Sequence, residues 1–402
     1  MSRADSEKSR PAGSAGEVFW AFLKLGLTSF GGPIAHLGYF RDELVTRRRW
    51  IDEAGYADLV ALCQFLPGPA SSQVGFGLGL LRAGPLGAMA AWVGFTLPSA
   101  LLLLAFAFGA SMLDGPLAAG VLHGLKLVAV AVVAQAVFGM AKSLTPDKER
   151  AAIAVGAAAL MLLGCSVGQI AAIILGGLAG LLLQDRAGGH EPAQDMHKPV
   201  SRSFGIAALI AFALLLAGLP ILAGALDGLA LFDAFYRAGA LVFGGGHVVL
   251  PLLDAEIVGR GWMGPDTFLA GYGAAQAVPG PLFTFAAFLG AAGSQAPNGV
   301  FGAAIALVAI FLPGFLLLVG VLPFWNRFRQ RPRARAAMLG ANAAVVGLLG
   351  AALYDPVFTS AVLSPLDFVL ALAGFVALVM WKLPPWMVVI ALALAGGAGA
   401  ML

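Results

Sequence analysis

Apolar residues run through this chain in stretches near the membrane-spanning length of roughly 20 residues, separated by short polar loops. The first stretch, 17–31, stops at Gly31-Gly32-Pro33, and a polar, amphipathic stretch from His36 to Trp50 follows. The second, 55–81, is cut in its middle by Pro67-Gly68-Pro69, so neither part of it is long enough to cross a bilayer by itself. Stretches at 85–111 and 117–141 come next, then two shorter ones at 151–164 and 168–184, a polar linker at 185–202 and one further apolar stretch at 203–224. Beyond it the plan starts again at 231–252, 266–293, 298–323, 337–354, 365–382 and 385–401. The pattern predicts an all-α polytopic membrane protein: a first repeat at 17–184, a cytoplasmic linker at 185–202, a linking transmembrane helix at 203–226 and a second repeat at 231–402. Residues 1–16 are polar and rich in Ser and Gly, with no apolar core, and read as a disordered leader rather than a cleaved signal.

The two repeats share an order of residue types. Lys24, Phe30-Gly31-Gly32, Glu43, Trp50, Gln64 and Pro67-Gly68-Pro69 return as Arg237, Phe243-Gly244-Gly245, Glu256, Trp262, Gln276 and Pro279-Gly280-Pro281. An unpaired span between two halves of six segments each inserts the second half upside down, the arithmetic of an inverted repeat. Cations support that reading. Lys8 and Arg10 precede the first segment and Arg47, Arg48 and Arg49 follow it, so both its ends face the cytoplasm if the chain enters, turns at the diglycine and returns. The second segment would likewise turn at Pro-Gly-Pro and come back to Arg82; two full crossings by these segments would give the same topology downstream. Lys142, Lys148, Arg150, the Arg327–Arg335 run and Lys382 then fall inside, with Asp227, Asp254 and Glu256 outside and Arg260 the one exception. The N-terminus is expected in the cytoplasm and the C-terminus outside.

Composition narrows the function. The chain is 60% hydrophobic and 11% charged, where soluble domains carry about a quarter charged residues. A net charge of +3, with cations confined to short loops, argues against nucleic acid as a partner and for the lipid bilayer. Cys63 and Cys165 lie in apolar stretches and the five histidines form no spaced cluster, so neither a disulfide framework nor a metal site is expected. No cofactor motif, nucleophile–base set or nucleotide-binding loop is present, which disfavours a membrane enzyme.

Non-helical backbone at membrane depth is tolerated only where protein or a watery cavity covers it, so the paired breaks mark where a cavity should lie. Lys24 and Arg237, inside apolar segments and each two turns before its diglycine, could share one anion or snorkel to the interface. Pro69 would open a helix, leaving the amides of Ala70, Ser71 and Ser72 unpaired at a positive dipole end, an anion site without a charged side chain. Thr284 repeats the Ser72 hydroxyl, but Ser71 and Gln73 become Phe283 and Phe285, so the first half looks the more polar reader. Gln64 and Gln276 stand before the breaks, as substrate ligands or as packed amides. Secondary candidates are Lys126, aligned with Asn342, and Glu43 and Glu256, for which ion pairing weighs more than a proton relay.

Lys24-Leu25-Gly26, Ser29-Phe30-Gly31-Gly32-Pro33, Trp50 and Leu66-Pro67-Gly68-Pro69, with their repeats, resemble the chromate ion transporter family over about 17–401. The resemblance implies its long, two-domain form, which exports chromate from the bacterial cytoplasm and gives resistance. Gly246 stands where the first half has Pro33, a departure at the second diglycine. Chromate is a tetrahedral dianion much like sulfate, and helix N-termini, hydroxyls and one or two cations suit such a ligand. Transport of sulfate or a related oxyanion is the alternative, and a homodimer is left open.

Overall fold

The computed structural model describes residues 13–110, 115–163, 168–182, 200–224, 227–243, 245–325 and 331–401, and among them every regular element is helical. Most of 1–16 and of 185–202, and with them Cys165 and Gly244, lie outside the described residues. Five helical stretches among the described residues are long and apolar enough to cross a membrane: Ala70–Gly109, Pro116–Leu144, Arg202–Leu222, Gly299–Phe324 and Pro332–Ala361.

The first half begins with α1 (Ala15–Thr28), capped by the Ser14 hydroxyl, which accepts from the Glu17 amide. It ends where Gly31 and Gly32 take φ values of 99° and 78°, open to glycine and strained for other residues. α2 (Gly32–Phe40) carries Pro33 in its first turn, where no amide is needed, and a π-helical turn, Arg41–Arg47, leads on to Trp50. α3 (Glu53–Phe65), capped by Asp52, stops at Pro67-Gly68-Pro69. α4 (Ala70–Ala110) is folded by non-helical backbone at Ala83 and Gly84 into a short arm and a long one. The arms touch at Gly79 and Gly87, where a side chain on either would meet the opposing backbone.

Each broken segment is a hairpin. The Trp50 indole donates to Glu17 Oε1 at 3.1 Å, and Arg82 pairs with Glu17 at 3.1 Å. The start of α1, the end of the turn after α2 and the end of the short arm of α4 thus meet at one base. Helices α5 (Pro116–Leu144), α6 (Lys148–Leu162), α7 (Gly168–Gly180) and α8 (Arg202–Leu222) follow.

The second half repeats the plan in α9 (Asp227–Ala240), α10 (Val249–Leu253), α11 (Pro265–Ala275) and α12 (Phe285–Ala292). Its base closes where Ser294 donates from amide and hydroxyl to the Trp262 carbonyl, at 2.8 and 3.0 Å. α13 (Gly299–Val321) meets α12 at Gly290 and Gly302, as the arms of α4 meet at Gly79 and Gly87. Then come α14 (Pro332–Ala352), α15 (Pro365–Val379) and α16 (Pro385–Gly399). The halves exchange their last helices: α6 and α7 pack on α14, while α15 and α16 pack on α5. Small residues allow it, Gly120 and Gly124 lying against Gly396 and Leu392, and Gly176 and Gly180 against Gly340.

Candidate functional site

The hairpin tips of one half touch those of the other. The Gly68 amide donates to the Val242 carbonyl at 2.7 Å, and the Gly280 amide donates to the Ser29 carbonyl at 2.9 Å. Ser29 and Val242 are matched positions ahead of the diglycines, and Gly68 and Gly280 are matched in the Pro-Gly-Pro boxes, so one hydrogen bond is made in both directions. Broken backbone in an apolar interior needs partners, and each half supplies the other's.

Beside this crossing lies a cavity of about 450 Å³, where the first half's Gly31 and Gly32 face the second half's Gln276 and Gly280. Gln135, Tyr39 and His247 add polar groups, and Lys382 is the one charged residue among those described in its lining. Lys382 is exposed and stands just past the end of α15 with a φ of 54°. The lining thus carries one exposed cation, several polar side chains and, among the described residues, no carboxylate.

The other expected residues are distributed as follows. Gln64 is exposed, while Gln276 is half-buried beside Tyr272. Ser71 and Ser72, on the first turn of α4, are buried, with Ala70 half-buried before them. The first helical bond there runs from the Gln73 amide to the Pro69 carbonyl, leaving the preceding amides without intrahelical acceptors. Thr284 differs from Ser72: it sits in a tight 3₁₀ turn, with its amide at 3.0 Å and its hydroxyl at 2.6 Å from the Pro281 carbonyl. Gly245 takes a φ of 148° at the second break.

Lys24 and Arg237 are each engaged by the acid of their own half. Glu43 accepts from Lys24 at 3.3 Å and from Arg47 and Arg48 at 2.9 Å. Arg237 pairs with Asp233 and, at 3.5 Å, with Glu256, which also holds Arg260. The matched acids differ. Burial pushes the Glu43 carboxyl up, but hydrogen bonds from Arg48 and Lys24 outweigh it and hold it below its ordinary value. At Glu256 burial wins over Arg237 and Arg260, and the carboxyl sits above its ordinary value. Lys126 pairs with Asp266 at 2.8 Å in a separate cavity, and Asn342 is half-buried with its Oδ1 unpaired. No group of three metal-ligating side chains occurs among the described residues.

Sequence reasoning missed Lys382, Gln135 and His247 as cavity residues. Lys382 was legible as a loop cation; nothing in the pattern said that its loop folds back over the diglycine.

Broken helices whose tips meet beside a polar cavity, within a bundle of apolar helices, define a multi-pass membrane transporter. The chain belongs to the chromate transporter family, whose model matches residues 16–181 and 229–397. It is 32% identical to the chromate transport protein of Pseudomonas aeruginosa, over 98% of this chain and 94% of that one. It is 28% identical to the chromate transport protein of Cupriavidus metallidurans, over 86% of this chain and 83% of that one. These relatives are transport proteins, not enzymes. No solved structure matches the chain.

Proposed function

We propose that this protein exports chromate across the bacterial inner membrane and thereby confers resistance, taking the anion from the cytoplasm through the Lys382-mouthed cavity. The observation that carries the reading is that cavity: it lies where the two repeats' breaks meet, and its lining holds one cation and no acid. Gly31, Gly32 and Gln276 contact the substrate there, whereas Lys24 and Arg237 serve to close their own hairpins through Glu43 and Glu256. A negative-inside potential drives an anion outward by ~2.3 kcal/mol per charge per 100 mV, so export needs no intramembrane acid relay.

The halves are read as an inverted repeat, with the N-terminus in the cytoplasm. Two long helices support it. α13 starts beside the second half's base and ends where the Trp325 indole donates to Asp58 Oδ1 at 3.0 Å, near the first half's base. The long arm of α4 runs the other way, bringing Phe108 to Gly299 at the start of α13. The two bases therefore stand at opposite ends of membrane-length helices, with the tips between them.

The test is uptake of labelled chromate into everted membrane vesicles carrying the protein. Time-dependent accumulation above that of empty vesicles is expected; none would overturn export. Sulfate remains a second reading because amides and neutral side chains recognise a tetrahedral dianion by shape and charge alone, so competition by excess sulfate belongs in the same assay.

A further inference from the structure

Inward of the cavity, the docked Gly280 lies between Ser29, whose carbonyl it holds, and Ser99, whose Oγ lies 2.9 Å from where a Gly280 Cβ would stand. Thr96 is one turn before Ser99 on the same face of α4, and the Ser99 hydroxyl donates to the Thr96 carbonyl at 3.0 Å. Phe95, whose carbonyl also borders Gly280, packs edge-on against the His36 ring, and His36 Nδ1 lies 3.4 Å from Ser71 Oγ. Ser29, His36, Ser71, Ser72, Thr96 and Ser99 are all buried, none more than 4% exposed. Three of their polar atoms have no hydrogen-bond partner, Ser29 Oγ, Ser72 Oγ and Thr96 Oγ1, while the His36 ring also interacts with the Ser29 backbone. Buried polar atoms are nearly always satisfied, so three unpaired hydroxyls on the segments that meet at this crossing call for a partner.

The second half lacks most of these groups. Aligning Gly87 with Gly302 and Pro98 with Pro313 places Phe311 at Thr96 and Gly314 at Ser99. Val242 stands at Ser29, Val249 at His36 and Phe283 at Ser71. All three are buried, as is Phe311, and the Phe283 and Phe311 rings pack at 5.8 Å. Thr284, the hydroxyl that is retained, is turned onto its own backbone. One of two matched places carries hydroxyls with open hydrogen-bonding capacity; the other carries packed phenyl rings.

We propose that the hydroxyls of Ser29, Ser72 and Thr96, with the first turn of α4, form the occluded binding site for a tetrahedral oxyanion, and that the first half supplies its donors while the second half's Gly280 borders it. The inference rests on the transport reading above and goes beyond it in naming a single, asymmetric site. Hydroxyls donate to the oxyanion from Ser29, Ser72 and Thr96, the unpaired amides of the α4 first turn face it with their dipole, and His36 lies beside Ser71 of that turn. Neutral donors in an occluded place bind the dianion without the desolvation cost of a buried cation.

The experiment measures binding of labelled chromate, and separately of labelled sulfate, to the purified full-length protein in detergent. Its variants are Ser29→Ala, Thr96→Val and Thr96→Ser, each checked by thermal unfolding. Ser29→Ala and Thr96→Val should each weaken binding by about tenfold or more, the usual effect of losing a hydrogen bond to a charged group. Thr96→Ser, which keeps the hydroxyl, should bind as wild type. Should Thr96→Val fail to fold, Ser29→Ala decides. Wild-type affinity in the alanine and valine variants, with or without a change in thermal stability, would mean the hydroxyls hold structural water and would overturn the site while leaving chromate export standing. A wild-type protein that binds sulfate but not chromate, with sulfate lost in the variants, would overturn the substrate reading and uphold the site. Binding of neither anion would overturn both.

Discussion

At the scale of single residues, the cations near the diglycines pair with acids of their own halves. Lys24 is about half exposed and Glu43 keeps Arg47 and Arg48 without it. Lys24→Gln should therefore cost no more than ~1 kcal/mol of stability, as exposed pairs do, and leave chromate affinity unchanged. Arg237→Gln is a heavier change because Asp233 is buried and keeps Arg260 alone, at 3.6 Å. A loss approaching ~3 kcal/mol is expected in chemical denaturation of the purified protein. Lys382→Gln should act on function instead. Removing a unit charge at about 4 Å in water is worth ~1 kcal/mol, so chromate affinity in everted vesicles should fall about fivefold, and the deficit should shrink in high salt. Acid sensitivity follows from Glu43. A carboxyl held below its ordinary value contributes stability that is present above the unfolded pKa and is lost as pH falls through the folded one. Glu43→Gln should lower the unfolding temperature at neutral pH and flatten its decline towards acid pH. A parallel decline in wild type and variant would remove Glu43 from that account.

At the scale of elements, the breaks hold the site. Gly68 has a φ of 124° and donates its amide across the halves. Replacing Pro67-Gly68-Pro69 with alanines should let α3 run into α4, engage the Ala70–Ser72 amides in helical bonds and detach Val242. Protein should still reach the membrane while vesicle uptake of chromate falls at least tenfold; unchanged uptake by a well-expressed variant would return the box to a plain kink. The breaks were legible because glycine and proline are punctuation that any helix obeys. Which break would meet which was not, since a diglycine carries no side chain that names its partner.

At the scale of the whole molecule, the inverted reading makes a topological prediction. Single cysteines within 41–49 should label with an impermeant thiol reagent from the cytoplasmic face, and those within 253–262 from the outer face. The native Cys63 and Cys165 are replaced beforehand so that each label reports one position. Labelling of both loops from one face would end the inverted reading. The exchange of terminal helices between halves, α6 and α7 onto α14 and α15 and α16 onto α5, also means that neither half keeps its packing alone. Expressing the first half by itself should yield little folded protein.

The linear pattern determined the helical class, the membrane setting, the positions of the breaks and the kinship of the two halves. All of these depend on hydrophobic period and on backbone punctuation, which are local properties of the chain. The polarity difference between the halves was also visible, in Ser71 and Gln73 against Phe283 and Phe285. Only the tertiary structure decided which polar groups share a space. Lys24 and Arg237, which match in sequence and could share one anion or snorkel, each pair with the acid of their own half. Lys382, Gln135, His247 and Thr96, which no motif singled out, are brought to the crossing by helices distant in the chain. Partner choice in a bundle is set by which small residues let backbones approach and by where broken amides find carbonyls, and both are properties of pairs of segments rather than of any one stretch.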